Sequence, residues 1–497
     1  MTDPESGPTT DEEAVADVMP SLLQRFSRGS LTYGVGSVLE RGIAFFLIPI
    51  YTNALTPSEY GIVGVVLAIF SAFGVIFGLG LRGAVTRQYF DHADEPARLR
   101  EYLGSVYLFF ITCGSLGAGA LSLFGRDAFL LVLDQIPFRP FVPLALWAAF
   151  FAAARGPLLS LYRAREQAAR YVALEVVAGT VLLVGVIYFV VVLEQGALGQ
   201  ARGLFWASFV VFALVLALLW REARPCLNPS MVRSAVAFGL PLTLHLFASW
   251  ALLAADRVIL ARMVPLEEVG YYTLGYQLAM IVGVVASAIN SAWTPLFYDS
   301  AENDDRASSA LGQLATVNIG IAFSAAFLVI LFGKELVALV GGGPVYAPAA
   351  QIIPIIAIGY AFQALYFVTV TPIFFARSTS LLPPLTLTAA AVNIGANILL
   401  IPVLGIIGAA WATLIAFGVL AVGASTLARK RFAMDYEKDR LAVLGIFLIV
   451  AAAAAWGTGS LPLAGVVAIK AVTTLAFLAA LLWTGVLSRL RAGLATG

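Results

Sequence analysis

Apolar residues occur along the chain in long runs that are separated by short polar breaks. A run of about 20 apolar residues is what an α-helix needs to cross a hydrocarbon layer of roughly 30 Å. About fourteen such windows are present, and this pattern predicts an all-α polytopic membrane protein, because a helix satisfies its own backbone hydrogen bonds in lipid. The windows are residues 30–51, 60–81, 102–124, 141–162, 171–192, 204–220, 235–255, 271–293, 311–332, 349–371, 382–403, 406–427, 441–456 and 463–487.

The composition agrees with this class. Of the 497 residues, 60% are apolar and 12% are charged, whereas soluble domains carry about 25% charged residues. A water-soluble globule is therefore excluded. The net charge of +1 gives no global field that would attract nucleic acid, and the two cysteines, Cys113 and Cys226, form no metal or redox motif.

Basic residues orient the predicted helices. Lys and Arg in short loops stay in the cytoplasm, and one set of alternate loops holds nearly all of them. Both termini are therefore predicted to be cytoplasmic, as an even number of spans requires. Residues 1–24 hold six acidic residues, no basic residue and no apolar core, which predicts a disordered acidic cytoplasmic tail and not a signal peptide.

Two parts of the sequence look alike at an offset of 208 residues, or 209 after one insertion. Residues 57–61 (PSEYG) resemble residues 265–270 (PLEEVG), and residues 89–91 (YFD) resemble residues 297–299 (FYD). Chance matching of turn residues is the alternative explanation. A true repeat with an even number of spans in each copy predicts parallel lobes, related by an axis along the membrane normal.

The predicted organisation has four parts. The acidic tail is followed by an N-terminal six-helix lobe (25–225), a C-terminal six-helix lobe (226–430) and two additional transmembrane helices (431–497). Transporters built from such lobes place their substrate between them. The last two helices have no counterpart in the repeat.

Three motifs carry a resemblance to a known family. They are DRVILAR at 256–262 with EEVGYY at 267–272, SEYG at 58–61, and RARE at 163–166. Over roughly residues 25–430, the chain resembles the polysaccharide-transport (Wzx-like) flippases of the multidrug/oligosaccharidyl-lipid/polysaccharide exporter superfamily.

The resemblance implies a function. It implies an inner-membrane flippase that moves an undecaprenyl-pyrophosphate-linked oligosaccharide from the cytoplasmic to the periplasmic leaflet, for synthesis of O-antigen, capsule or exopolysaccharide. The partners would be this lipid-linked substrate, the bilayer and a coupling ion such as H⁺ or Na⁺, with no cofactor, no ATP and no nucleic acid.

Charged side chains within the predicted spans are the candidate site residues. Each costs about 2.5–3.5 kcal/mol at the bilayer centre and usually faces a cavity or a partner. The planar fork of arginine matches phosphate oxygens, so Arg41 and Arg155 are predicted to bind the pyrophosphate, with Glu40 beside them. The alternative is an internal ion pair of either arginine with Glu40 or Glu175.

Further candidates lie elsewhere in the spans. Asp256 and Arg257 are predicted to contact substrate at the outer end of the seventh span, or alternatively to reach water by snorkelling. Lys470 lies within the fourteenth predicted span, and snorkelling to water is the alternative explanation for it as well. His245 and Glu175 are candidates for coupling to an ion, and a hydrogen bond within a helix interface is the alternative for His245. No metal site is predicted.

Other functional classes remain alternatives at this point. A lipid II flippase and a cation-coupled multidrug antiporter share the two lobes of the superfamily. An ATP-driven pump is disfavoured, because Gly333-Lys334 lacks the phosphate-binding loop pattern. An enzyme is not expected either, because the outer segments are too short and too apolar for a catalytic site.

Overall fold

The computed structural model describes residues 45–92, 95–303, 307–341, 343–432, 434–458 and 461–485. Within these ranges, 13 helices are long and apolar enough to cross a membrane. They coincide with thirteen of the predicted windows, which confirms the all-α polytopic fold. The first window, 30–51, reaches the described residues only in the short apolar helix α1, Phe45–Ala54.

The helices follow one another with short connections. In the first half they are α1 (Phe45–Ala54), α2 (Pro57–Gly78), α3 (Leu81–Asp91), α4 (Pro96–Phe124), α5 (Arg126–Leu130), α6 (Phe138–Ala153), α7 (Arg155–Ala164), α8 (Ala168–Val186, extended by a π-helix, Ile187–Val192) and α9 (Gly196–Glu222). In the second half they are α10 (Pro229–Met263), α11 (Leu266–Asn303), α12 (Ala307–Leu331), α13 (Gly333–Leu339), α14 (Ile353–Phe375), α15 (Leu382–Leu404) and α16 (Ile406–Arg429). Two more helices, α17 (Lys438–Gly457) and α18 (Leu463–Trp483), follow.

The same order of helices occurs twice. Helix α1 ends at Ala54 and α10 at Met263, while α2 begins at Pro57 and α11 at Leu266, so both boundaries lie 209 positions apart. A short helix follows α4 in the first half and α12 in the second, namely α5 and α13. The division into lobes at residue 225 stays a prediction, which a superposition of α1–α9 on α10–α16 tests.

Local sequence determines where α2 begins. Thr56 caps the helix, since its side chain accepts a hydrogen bond from the Glu59 amide while the Glu59 carboxylate accepts from the Thr56 amide. Pro57 occupies the first turn, where a missing N–H costs nothing. The turn between α1 and α2 is therefore short and rigid. It lies at the end of the bundle that the sequence predicts to be outer.

The C-terminal helices pack on the second half. Helix α17 packs on α12, and α18 on α17. The rings of Phe327 and Phe477 stack at 3.9 Å between centroids. The Lys470 ammonium on α18 donates to both oxygens of Glu335 on α13 at 2.6 Å. The Lys470 side chain is 9% exposed and its partner Glu335 is 52% exposed, so the pair lies at the protein surface and the snorkelling alternative for Lys470 stays open.

This ion pair gives a stability prediction. We expect Glu335→Gln to lower the thermal midpoint of the detergent-purified protein, because it leaves the buried Lys470 ammonium without its counter-charge, at a cost of about 1–3 kcal/mol. The double variant Glu335→Gln/Lys470→Met is expected to recover most of the loss, since both charges are gone. A midpoint unchanged in Glu335→Gln would contradict the structural role of the pair.

The predicted orientation is also testable. In a background with Cys113→Ala and Cys226→Ala, a membrane-impermeant maleimide added outside is expected to label a cysteine at Val345, between α13 and α14, but not one at Lys430, after α16. Both positions are exposed, so access depends on the side of the membrane alone. Labelling of the Lys430 position in sealed cells would overturn the orientation.

Candidate functional site: a mostly apolar cavity where the first half meets α11

A cavity of about 260 Å³ lies where helices of the first half meet α11 of the second half. Its walls come from α1, α2, α6, α7, α8, α9 and α11, and most of its lining is apolar. A small set of polar side chains also lines it: Tyr51, Arg155, Glu175, Gln200, Ser208 and Gln277. A concave, mostly apolar site with a few convergent polar groups is typical of a ligand site.

A break in a helix places Arg155 in this cavity. Helix α6 ends at Ala153 and α7 begins at Arg155. Pro157 has no amide hydrogen to donate to the carbonyl four residues earlier, which weakens the helix at this point. The carbonyl that loses its donor is that of Ala153, and the neighbouring Ala154 carbonyl accepts a hydrogen bond from the Tyr107 hydroxyl at 2.8 Å. The sequence thus breaks the helix one residue before the arginine.

Arg155 is paired within the cavity. Its Nη1 lies 3.3 Å from Oε2 of Glu175 on α8, and the two side chains are 22% and 5% exposed. The ion pair proposed from the sequence as an alternative is therefore present. The ion pair does not decide between the two roles of Arg155, because the arginine also lines the cavity. Arg41 and Glu40, the other predicted residues of this group, lie outside the described residues.

Asp256 and Arg257 are buried and lie apart from the cavity lining. Their side chains are 1% and 10% exposed and form a 3.0 Å ion pair. The Tyr272 hydroxyl donates to Asp256, and the guanidinium of Arg257 lies 4.0 Å from the centre of the Tyr276 ring. The alternative in which both side chains reach water is wrong, because these two tyrosines of α11 cover them. Substrate contact stays a prediction.

The coupling candidates lie on different halves. Glu175 belongs to the cavity, whereas His245 lies half-buried on α10 and is not part of the cavity lining. Among the described residues, Nδ1 of His245 has no hydrogen-bond partner. The described residues also hold no group of three or more His, Cys, Asp or Glu side chains that could bind a metal ion. The coupling role of both residues stays a prediction.

The two halves are in backbone contact at the predicted outer end. A β-carbon added at Gly61 on α2 would lie 2.0 Å from the Leu266 carbonyl oxygen, and one added at Gly270 on α11 would lie 1.9 Å from the Pro57 carbonyl oxygen. Each glycine thus meets the first residue of the other helix, and the two contacts are related by the 209-residue offset. Only glycine permits so close a crossing.

A second layer of contacts has the same symmetry. The Gln135 amide, after α5, donates to the Val264 carbonyl at 3.1 Å, and the Tyr346 hydroxyl, after α13, donates to the Leu55 carbonyl at 2.9 Å. Leu55 and Val264 also lie 209 positions apart. Burial raises the pKa of the Tyr346 hydroxyl, so it remains a donor at neutral pH. The segment after α5 therefore holds the end of α10, and the segment after α13 holds the end of α1.

Sequence reasoning missed four polar residues of the cavity: Tyr51 on α1, Gln200 and Ser208 on α9, and Gln277 on α11. None of them carries a charge, so a search for charged residues in the spans does not find them. Their signal in the sequence is weak, since isolated uncharged polar residues are common in helices. Gln277 shows the link between the halves most directly, because its Oε1 accepts a hydrogen bond from the Tyr60 hydroxyl on α2 at 2.6 Å.

Comparison with protein-family models shows to which family the chain belongs. Residues 26–301 match the family model described as polysaccharide biosynthesis protein, and this is more than half of the chain. The chain belongs to the polysaccharide biosynthesis protein family. Residues 241–403 of this family member also match the model described as MatE. The resemblance to polysaccharide-transport flippases is thereby confirmed.

Individual relatives of this family member are distant in sequence. "Lsg locus putative protein 1" of Haemophilus influenzae is 24% identical over 284 residues, which are 55% of this chain and 66% of that protein. A second Haemophilus influenzae protein, an uncharacterized membrane protein, is 24% identical over 280 residues. The matches span 66% and 65% of the length of these two relatives.

Solved structures agree with the fold. The lipid II flippase MurJ, in an inward closed conformation, superposes with a TM-score of 0.73 at 11% identity, over 93% of this chain and 98% of that one. An inward-facing multidrug resistance MATE family transporter of the MOP superfamily gives 0.63 at 16% identity, over 84% of this chain and 98% of that one. This family member therefore has the fold of the exporter superfamily.

Proposed function

We propose that this multi-pass membrane protein is a flippase for an undecaprenyl-pyrophosphate-linked oligosaccharide and moves it from the cytoplasmic to the periplasmic leaflet of the inner membrane. The observation that carries the proposal is the cavity between the halves, with Arg155 in its wall, in a member of the polysaccharide biosynthesis protein family. A pyrophosphate must lose much of its hydration to cross the bilayer. An arginine in a mostly apolar cavity offers charge-assisted hydrogen bonds in place of that water.

The pair with Glu175 fits a binding site that is used repeatedly. While the cavity is empty of substrate, the carboxylate compensates the arginine, whose isolated charge would be costly at this depth. When a pyrophosphate arrives, its oxygens accept charge-assisted hydrogen bonds from the planar fork of the guanidinium. The apolar part of the lipid stays in the bilayer, and only the polar head enters the cavity.

The contacts at the predicted outer end supply the second element of transport. In this structure the α2–α11 crossing and the two flanking hydrogen bonds join the halves there. Release of the head group on that side requires these contacts to separate as a unit. The repeated geometry favours a rocking motion of one half against the other, as in other transporters built from repeats.

A lipid II flippase is the second candidate. The observation that favours it is the TM-score of 0.73 to the lipid II flippase, against 0.63 to the multidrug transporter. Lipid II is also a polyprenyl pyrophosphate with sugars, so Arg155 would have the same role. A cation-coupled multidrug antiporter fits less well, because a cationic drug gains nothing from an arginine in the cavity wall.

Ligand-dependent stabilisation tests these assignments. A ligand that binds only the folded state at 100 times its dissociation constant stabilises a protein by about 2.7 kcal/mol. We expect polyprenyl pyrophosphate carrying a short glycan to raise the thermal midpoint of the purified protein, and a cationic dye to leave it unchanged. A rise with lipid II alone would favour the second candidate, and a rise with the dye alone would contradict the proposal.

A further inference from the structure

We propose that Gln200 and Gln277 form a saccharide subsite of the cavity, which binds hydroxyl groups of the sugar that is attached to the pyrophosphate. The inference rests on the proposed function and adds to it a source of selectivity. The two residues come from different halves of the protein, Gln200 from α9 and Gln277 from α11, and both line the same cavity as Arg155.

Gln200 carries an unused hydrogen-bond acceptor. The residue is 1% exposed, and its Oε1 has no hydrogen-bond partner among the described residues. A buried carbonyl oxygen without a partner is costly. A ligand group in the cavity that donates a hydrogen bond to this oxygen would remove that cost.

Gln277 offers the opposite chemistry. Its Oε1 is already occupied by the Tyr60 hydroxyl at 2.6 Å. What remains for the cavity is the amide nitrogen with its two hydrogens, which only donate. One glutamine thus presents an acceptor to the cavity and the other presents donors.

This combination selects the class of ligand. Pyrophosphate oxygens only accept hydrogen bonds from the protein, so they satisfy Arg155 and Gln277 but leave Gln200 unpaired. A sugar hydroxyl both donates and accepts, so the hydroxyl groups of one ring satisfy both glutamines. An ammonium group would donate to Gln200, but Arg155 repels it. A phosphate-linked sugar is therefore the class of ligand that uses all three residues.

The size of the cavity limits how much of the glycan is read. Its volume of about 260 Å³ lies just below the roughly 300–1,000 Å³ that is typical of sites for drug-sized ligands. A whole oligosaccharide does not fit, whereas one ring beside the pyrophosphate does. The subsite would thus bind the first sugar and make no contact with the remainder of the glycan.

The position of Gln277 links binding to the state of the protein. Tyr60, which holds Gln277, lies on α2 one residue before Gly61, at the crossing of α2 and α11. Separation of the two helices at this crossing would pull the Tyr60 hydroxyl away from Gln277 and thereby change the subsite. The sugar is consequently bound best while the predicted outer end is closed.

Equilibrium binding to the purified full-length protein tests the subsite. The probes are undecaprenyl pyrophosphate alone and the same lipid carrying a single glucose, galactose, N-acetylglucosamine or N-acetylgalactosamine. We expect wild type to bind at least one of the four glycosylated lipids more tightly than the bare lipid. Gln200→Met keeps the size of the side chain and removes the acceptor. It is expected to lower the preference for the glycosylated lipid by about tenfold, because one hydrogen bond to a buried polar group contributes about that much to binding.

Two further variants separate the possible failures. Gln195→Met, outside the cavity lining, is the matched control and is expected to keep the wild-type preference. Arg155→Ala is expected to weaken the binding of the bare and glycosylated lipids alike. Equal binding of all five lipids by wild type would overturn the subsite and leave the proposed function intact, whereas no binding of any lipid would overturn the proposed function itself. An unchanged preference in Gln200→Met would also overturn the subsite.

Discussion

Alanine at Gly61 or Gly270 is expected to reduce transport by about tenfold or more and to hold the predicted outer end open. The added methyl groups would lie 2.0 Å and 1.9 Å from backbone carbonyl oxygens of the other half. Backbone atoms cannot rotate away as a flexible side chain does, so the halves must separate. Overpacking of this kind costs about 1–3 kcal/mol, and each 1.4 kcal/mol changes an equilibrium about tenfold.

The distance across the contact measures this opening. Spin labels at Ser58 and Glu267, two exposed positions beside the crossing, are expected to lie farther apart in the Gly61→Ala and Gly270→Ala proteins than in wild type. Gly74→Ala on the same helix α2 is the matched control, because no described heavy atom lies within 4 Å of a methyl group placed there. Wild-type distances and transport in both alanine variants would contradict the closure of this end by the glycine crossing.

Arg155→Ala is expected to reduce transport of the lipid-linked glycan by about 10- to 100-fold. The variant loses a charge-assisted hydrogen bond to the substrate, which contributes about 1.5–3 kcal/mol. Arg155→Lys is expected to have an intermediate effect, because the charge remains and the planar fork is lost. The variants need to be compared at equal amounts of folded protein in the membrane. The pair with Glu175 at 3.3 Å makes that comparison essential.

A double variant separates the two roles of Arg155. Arg155→Ala alone leaves the 5% exposed Glu175 carboxylate without this partner, which destabilises the fold. Arg155→Met/Glu175→Met removes both charges and is expected to restore the thermal midpoint without restoring transport. Recovery of transport in the double variant would show that the arginine only stabilises the bundle.

The spans were predictable from the sequence because the hydrocarbon layer imposes length and apolarity on every helix that crosses it. The likeness of residues 57–61 and 265–270 was visible for a related reason, since both segments have to begin a helix after a tight turn. That these two turns meet each other was not predictable. The contact depends on how the halves dock, and a glycine in a turn motif gives no sign that its partner is the equivalent glycine 209 positions away.

The site was predictable only in part. Arg155 stood out because a charge within a span is costly, and its pair with Glu175 was one of the alternatives that the sequence offered. Asp256 and Arg257 were misjudged in the snorkelling alternative, since depth along a helix says nothing about cover from the next helix. Tyr272 and Tyr276 supply that cover from one face of α11. The uncharged Gln200 passed unnoticed because its importance lies in an unpaired oxygen, which only the packing reveals.

The most direct test of the central claim is translocation in vesicles that contain only this protein. A fluorescent polyprenyl pyrophosphate that carries a short glycan is placed in one leaflet, and its arrival in the other is followed with a membrane-impermeant quencher. Wild type and Gly74→Ala are expected to move the lipid much faster than protein-free vesicles, and Arg155→Ala is expected to move it far more slowly than wild type. Lipid movement no faster than in protein-free vesicles, together with extrusion of a cationic dye by the same protein, would contradict the account.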